Sequence, residues 1–184
     1  MPDWPVDVLD FWFSLKPEQW WTVDPELDET VRERFGELWE EQSRLPVSHF
    51  LGSADEALAA IILFDQLPRN MFRGHADQFA TDHLALAIAK AAVDRGYDER
   101  FEQPRRAFLY MPFEHSESLE DQEKGVELMR SLEAFEETRG LTQWAVRHRD
   151  IVARFGRFPH RNAVLGRAST PEEIAFLATP GSGF

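Results

Sequence analysis

The sequence predicts an all-α fold, and three observations point to it. Apolar residues recur at intervals of three and four along most of the 184-residue chain, which is the spacing of one face of a helix. Helix-capping signals precede several of these segments, as in Asp24-Pro25 and Thr170-Pro171. No segment shows the sustained alternation and β-branched enrichment of a strand. These patterns predict seven or eight helices in antiparallel pairs, within a single domain over residues 1–184.

The first three predicted helices are defined by apolar stripes and by breaks. A short first helix has an apolar face that starts at Val6 and continues through Leu9, Trp12 and Phe13. The second helix starts after Asp24, which we expect to cap it. The third starts at Ser53, which forms a capping box with Glu56. We expect Pro68 to end the third helix, because proline has no amide hydrogen and disfavours helix in the preceding residue.

The middle of the chain predicts two further helices. The fourth starts at Thr81 or Asp77, and Gly96 caps its C-terminus. The fifth starts at Pro104 and is expected to break near Pro112.

The C-terminal third predicts the remaining helices. Ser118, with Asp121 three residues later, opens the sixth helix, and Gly125 lies inside it. The seventh covers residues 141–155, and Gly156 can cap it. Thr170-Pro171-Glu172-Glu173 is a strong start signal for a final helix.

Charge and composition exclude several classes of protein. With 33 acidic and 20 basic residues, the chain has a net charge of −13, which argues against a general nucleic-acid binder. The absence of cysteine excludes disulfides and cysteine-held metals. The longest apolar run covers residues 57–64, whereas a membrane-spanning helix needs about 20 residues. The acidic N-terminus is unlike a secretory signal, so we expect a cytoplasmic protein without a membrane partner.

Three polar tracts interrupt the apolar stripes, and the first covers residues 64–74. Asp65 continues the buried face of the third helix, so its carboxylate is expected to be at least partly buried. A buried carboxylate needs a cationic or hydrogen-bonding partner. Asp65 could serve only to fasten the following turn or an arginine, or it could belong to a site that includes Arg69 and Asn70.

The second tract covers residues 109–117 and contains His115 between Glu114 and Glu117. An acid beside a histidine can orient the imidazole ring and support its basic form, as in general-base pairs. A histidine that bonds a backbone carbonyl near a helix end is the alternative interpretation.

The third tract covers residues 148–162 and lies within an arginine-rich segment. Residues 144–167 contain six arginines and one acid, a net charge of +5 that leaves −18 for the rest of the chain. Arginine binds carboxylates and phosphates bidentately, so the segment could hold an anionic ligand. It could equally form an internal salt network with the acids of residues 114–123. His148 lies on the apolar stripe and is expected to face inward.

The first and third tracts resemble each other. Leu67-Pro68-Arg69-Asn70 and Phe158-Pro159-His160-Arg161-Asn162 each follow a helix and lead to a glycine. The recurrence suits layered helix pairs, although a chance repeat of a proline stop is an equal alternative. No pair that includes a histidine in these tracts has the three- or four-residue spacing of helical metal ligands, so neither a metal nor a cofactor is expected.

The three tracts, together with residues 8–13 and 170–173, resemble a bacterial family catalogued as domain of unknown function 924. The resemblance covers nearly the whole chain. It implies an all-helical, tetratricopeptide-like fold. It implies no established activity, so no catalytic residue can be transferred from the family.

We therefore expect a polar pocket that binds a small anionic ligand and that could support acid–base chemistry. The alternatives are a helical-repeat surface that holds a peptide or protein partner in a concave groove, and tracts that only tie helices together. The candidate catalytic residues are His115, His148, Asp65 and Glu117. The candidate ligand-binding residues are Arg69, Asn70, Arg154, Arg157, His160, Arg161 and Asn162.

Overall fold

The fold is all-α, as the sequence predicts. A computed structural model describes residues 3–183, apart from the side chain at position 137, so residues 1, 2 and 184 of the predicted domain lie outside the described residues. The helices are α1 (Trp4–Ser14), α2 (Pro25–Gln42), α3 (Ala54–Ile61), α4 (Leu67–Met71), α5 (Asp82–Asp94), α6 (Arg105–His115), α7 (Leu119–Arg130), α8 (Leu141–Phe155) and α9 (Pro171–Leu177). Between residues 3 and 183 there is no strand.

The predicted caps of three helices are confirmed. Asp24 accepts two backbone hydrogen bonds from the first turn of α2. The Ser53 hydroxyl accepts the N–H of Glu56 at 3.1 Å, and the Thr170 hydroxyl accepts the N–H of Glu173 at 3.2 Å. These side chains satisfy N–H groups that have no partner within the helix, which fixes where each helix begins.

Two other predicted helix starts, at Thr81 and Ser118, are confirmed. α5 follows Thr81, whereas Asp77 lies in a preceding 3₁₀ turn. α7 follows Ser118, but the Ser118 side chain makes no capping hydrogen bond. The carboxylate of Asp121 accepts a hydrogen bond from the Ser116 hydroxyl at 2.8 Å.

The prediction that Pro68 ends the third helix is wrong. α3 continues through a π-helical turn (Ile62–Gln66) directly into α4, so these residues form one interrupted helix. Because Pro68 has no amide hydrogen, the carbonyl of Phe64 lacks its α-helical donor. The Thr81 hydroxyl donates to that carbonyl at 2.7 Å, so the polar group is satisfied from another element. Single π turns inside helices are frequent at functional sites.

Two predictions about helix geometry are also wrong. α6 runs unbroken through Pro112 to His115, because buried packing over residues 107–114 holds the helix together across the proline. Val6 is 51% exposed, although we expected it on the apolar face of α1. At about 100° per residue, Val6 lies on the opposite side of α1 from Val8 and Trp12, which are buried.

α3 forms the centre of the hydrophobic core. Its residues 57–61 and the following residues 62–64 are fully buried. α3 packs against α1, α5 and α6, while α7 packs against both α6 and α8. α6 also contacts α8 and the π turn. This packing brings the π turn, the end of α6 and the middle of α8 together, and these are the elements that carry the three polar tracts.

The close approach of α6 and α7 depends on Gly125. A Cβ atom at this position would lie 3.1 Å from Cβ of Phe113 and 3.5 Å from the backbone nitrogen of Glu114. Neither atom belongs to the end of a flexible side chain, so a larger residue must push the two helices apart. The glycine thus permits contact between α7 and the part of α6 that precedes His115.

We predict that Gly125→Val lowers the free energy of unfolding by about 1–3 kcal/mol through overpacking. As a control, Gly36→Ala within α2 should raise it by up to about 1 kcal/mol, because no atom lies within 4 Å of a Cβ there and alanine has the higher helix propensity. Urea unfolding of both variants measures the difference. A Gly125→Val protein as stable as the wild type would contradict the close packing.

Candidate acid–base site

The π turn places the carboxylate of Asp65 at the centre of the site. Asp65 is completely buried, as the sequence predicts for a residue that continues the apolar face. Its Oδ1 lies 2.7 Å from Nδ1 of His115, and its Oδ2 accepts a hydrogen bond from Nε2 of Gln66 at 2.5 Å. Arg69 lies one turn further along the chain, with Nη1 3.7 Å from Oδ1 of Asp65. The first and second tracts therefore meet at a pair formed by the buried Asp65 and the partly buried His115.

The electrostatics of this pair fix the orientation of the imidazole ring. Burial alone raises the pKa of Asp65. The positive charges of His115 and Arg69 and the hydrogen bonds from His115 and Gln66 outweigh burial and lower that pKa to about 2. The carboxylate is therefore ionised at neutral pH and accepts the Nδ1–H of His115. Nε2 of His115, the ring atom left for proton exchange, makes no hydrogen bond with any residue from 3 to 183.

The third tract reaches the pair through His148. This residue is 7% exposed, as expected from its place on the apolar stripe, and its ring centroid lies 6.2 Å from that of His115. Nδ1 of His148 lies 2.7 Å from the carbonyl of Trp144, so we assign it as the hydrogen-bond donor. Burial and the positive charge of His115 lower the pKa of His148 to about 3. His148 is thus a neutral ring at physiological pH.

Glu114 is a member of the site that sequence reasoning did not select. Its side chain lies 3.7 Å from the ring of His148, measured from Oε2 to Nδ1, and only 6% of the residue is exposed. Burial and the negative charge of Asp65 raise the pKa of Glu114 to about 8. The sequence places this acid next to His115, but burial of the carboxyl depends on packing between helices that no local pattern shows.

Two arginines share one carboxylate at the edge of the pair. Arg69 binds both oxygens of Asp82, at 3.0 and 3.1 Å, and Nη1 of Arg161 lies 3.4 Å from Oδ2 of Asp82. Arg161 is 7% exposed, and the central carbon of its guanidinium lies 4.4 Å from the ring centroid of Phe79 and 4.6 Å from that of Phe158. The two resembling tracts therefore bring their arginines to the same acid.

Burial weakens the charge of Arg161 without removing it. Burial and the neighbouring charge of Arg69 lower the pKa of Arg161 to about 10. Within residues 3–183, its Nε makes no hydrogen bond, and the 3.4 Å contact with Asp82 is its one ion pair. Arg161 is consequently a buried cation at neutral pH with unused donors.

His160 lies beside this arginine. Its ring centroid is 5.6 Å from that of Phe158. Burial and the charge of Arg161 lower the pKa of His160 to about 4, so the ring is neutral at physiological pH.

Five predicted residues bind partners outside the Asp65–His115 pair. Acids or arginines of other elements hold each of them, which the spacing within their own tracts could not indicate. The contacts are Asn70 with Asp28 at 2.8 Å, Glu117 with Arg167 at 2.7 and 2.9 Å, Arg154 with Glu172 at 2.9 Å, Arg157 with Glu173 at 2.7 and 2.8 Å, and Asn162 with Glu173 at 3.2 Å.

These contacts bear on whether the arginine-rich segment forms an internal salt network or holds an anionic ligand. Five of its six arginines form ion pairs with acids of the described residues. The pairs are Arg149–Asp150, Arg154–Glu172, Arg157–Glu173, Arg161–Asp82 and Arg167–Glu117, and two of these acids belong to α9. Of the acids of residues 114–123, Glu117 joins the network; it also accepts the N–H of Phe158 at 2.8 Å. The network holds the third tract against α9 and against the loop between α6 and α7. Among the described residues, no three His, Asp or Glu side chains are arranged to hold a metal ion.

Comparison with known proteins extends the resemblance seen in the sequence. The family model described as "Bacterial protein of unknown function (DUF924)" matches residues 8–181. The chain belongs to this family. The match to DUF924 covers the three tracts and the whole of the Asp65–His115 site.

A solved structure supports the fold of this DUF924 protein. A protein of unknown function from Agrobacterium tumefaciens is similar, with a TM-score of 0.87 and 39% sequence identity, over 95% of this chain and 96% of that one. No curated protein matches the chain. In the part of the DUF924 protein that the structure describes, no helix is long and apolar enough to cross a bilayer.

We predict that Glu114→Gln stabilises the protein progressively more, relative to the wild type, as the pH rises from 4.5 to about 8. The raised pKa means that unfolding releases a proton over this range, so the wild type loses stability that the neutral glutamine keeps. The gain levels off above pH 8 and is on the order of a few kcal/mol. Urea unfolding at several pH values measures it.

The exposed Glu120 of α7 provides the control for this experiment. Glu120→Gln should leave the pH dependence of stability close to that of the wild type. If the stability difference between Glu114→Gln and the wild type did not change with pH, Glu114 would not be a buried neutral acid.

Proposed function

We propose that this protein binds a small anion at Arg161 and exchanges a proton with it through His115. The observation that carries the proposal is the pair formed by the buried Asp65 and the partly buried His115, whose Nε2 makes no hydrogen bond among residues 3–183. Fully burying a charged carboxylate is costly, and this one is used to fix one tautomer of a histidine. Such an arrangement is the usual support for a general base.

Arg161 is the residue that we expect to bind the anion. A buried guanidinium with one long ion pair has unused donors, and an arginine in this state favours a carboxylate or phosphate ligand. The rings of Phe79 and Phe158 both pack on the guanidinium, with centroids 4.4 and 4.6 Å from its central carbon, and these contacts restrict its orientation. The neutral states of His148 and His160 add no competing charge near it.

The anion-binding part is tested with acetate and inorganic phosphate as probes. We predict saturable binding that moves the ¹⁵N signal of Nε2 of His115 more than that of Nδ1, which Asp65 holds. Arg161→Gln should weaken binding by about tenfold or more, because a charged hydrogen bond is lost. NMR titration of the labelled protein gives both results.

Two further variants make this test decisive. Arg154→Gln is the matched control, since Arg154 is exposed and pairs with Glu172, and it should bind the probes as the wild type does. Arg161→Lys keeps the charge but loses the planar fork, so it should bind with intermediate affinity if the glutamine variant fails to fold. Equal binding by wild type and Arg161→Gln, or no binding by the wild type, would refute the anion site.

The alternative of a concave groove for a peptide or protein partner stays a prediction, as does the cytoplasmic location.

A further inference from the structure

The Glu114 side chain is only 8% exposed, and its carboxyl group makes no hydrogen bond within residues 3–183. Its nearest ionisable neighbour from α8 is His148, whose Nδ1 lies 3.7 Å away and is directed to the carbonyl of Trp144 instead. Gln122 of α7 donates to the backbone carbonyl of Glu114 at 2.6 Å, not to its side chain. Among residues 3–183, none donates to this carboxyl or accepts from it. An acid that is almost fully buried and keeps this hydrogen-bonding capacity is available to a ligand.

The groups around Glu114 keep it protonated. Asp65 faces it from the π turn, the neutral His148 faces it from α8, and His115 follows it on α6. Burial and the charge of Asp65 both oppose a second negative charge at this position. At neutral pH the side chain therefore offers one O–H donor and one carbonyl acceptor.

Three side chains of the site have polar atoms that make no hydrogen bond within residues 3–183, and these side chains differ in charge and in hydrogen-bonding capacity. Arg161 is a cation, His115 offers the free ring nitrogen of an oriented imidazole, and Glu114 is a neutral acid. They are linked through His148, whose ring lies 6.2 Å from that of His115 and 5.7 Å from that of Phe158, which packs on Arg161. A simple carboxylate or phosphate ion would engage the cation and leave the neutral acid unused.

We propose that Glu114 donates a hydrogen bond to an uncharged oxygen of the ligand, so that the ligand class is a small carboxylate with a carbonyl oxygen beside its charged group. This inference rests on the proposed anion site. Arg161 would hold the carboxylate, Glu114 the carbonyl oxygen, and His115 would face the proton that is exchanged. A neutral acid suits this task, because it donates without repelling the anion.

The experiment compares pyruvate with propionate, which has a similar size and the same charge but lacks the carbonyl oxygen. At pH 6.5 we expect the wild type to bind pyruvate about five- to tenfold more tightly, which is the value of one additional hydrogen bond. At pH 9.5, where Glu114 is ionised, this preference should disappear. NMR titration of each probe gives the dissociation constants.

Substitutions at position 114 separate hydrogen bonding from charge. Glu114→Gln keeps a neutral donor, so it should retain the preference for pyruvate at both pH values. Glu114→Met removes the donor and should bind the two probes equally at both. Glu120→Gln, an exposed change on α7, should behave as the wild type, and thermal unfolding confirms that each variant is folded.

The outcomes distinguish this inference from the proposed function. Propionate binding that depends on Arg161, without any preference for pyruvate, would overturn the role of Glu114 and leave the anion site intact. A preference that persists in Glu114→Met would also overturn it. If neither probe binds to the wild type, the anion site and the ligand class both fail.

Discussion

The buried negative charge of Asp65 is the constraint on which the rest of the site depends. A carboxylate without access to water must be compensated, and here the compensation comes from α4, α6 and the π turn itself. Since Asp65 follows α3, the central helix of the core, its partners can be supplied only by elements that pack around that helix. The π turn directs Asp65 toward the end of α6, and His115 lies there to compensate its charge.

The same charge sets the state of the neighbouring groups. It attracts Arg69, and it raises the pKa of Glu114, so an ionised acid and a protonated acid lie close together. Pairs of titratable groups whose environments separate their pKa values are typical of acid–base sites. Around them, the arginine-rich segment is mostly neutralised by Asp82, Glu117 and α9. Arg161 of this segment shares Asp82 with Arg69, which lies 3.7 Å from Asp65.

Much of the fold and part of the site could be predicted from sequence, because both follow from local periodicity. The helical phase places Asp65 and His148 inward, and capping residues mark the helix starts. The continuation past Pro68 could not be predicted, since it depends on a hydroxyl 17 residues away in the chain. The burial of Glu114 depends in the same way on helices that meet only in the folded protein. Ion-pair partners such as Glu173 could not be predicted either, because the sequence does not show which acid an arginine contacts in the folded protein.

A double-mutant cycle between Asp65→Asn and His115→Gln tests the central claim most directly. Denaturant unfolding of the wild type, the two single variants and the double variant at pH 7 gives the coupling free energy. If the buried pair organises the site, the effects are non-additive, with a coupling of about 1–3 kcal/mol. Single-variant effects that add to within about 0.5 kcal/mol would show that Asp65 and His115 act independently, and would contradict the account.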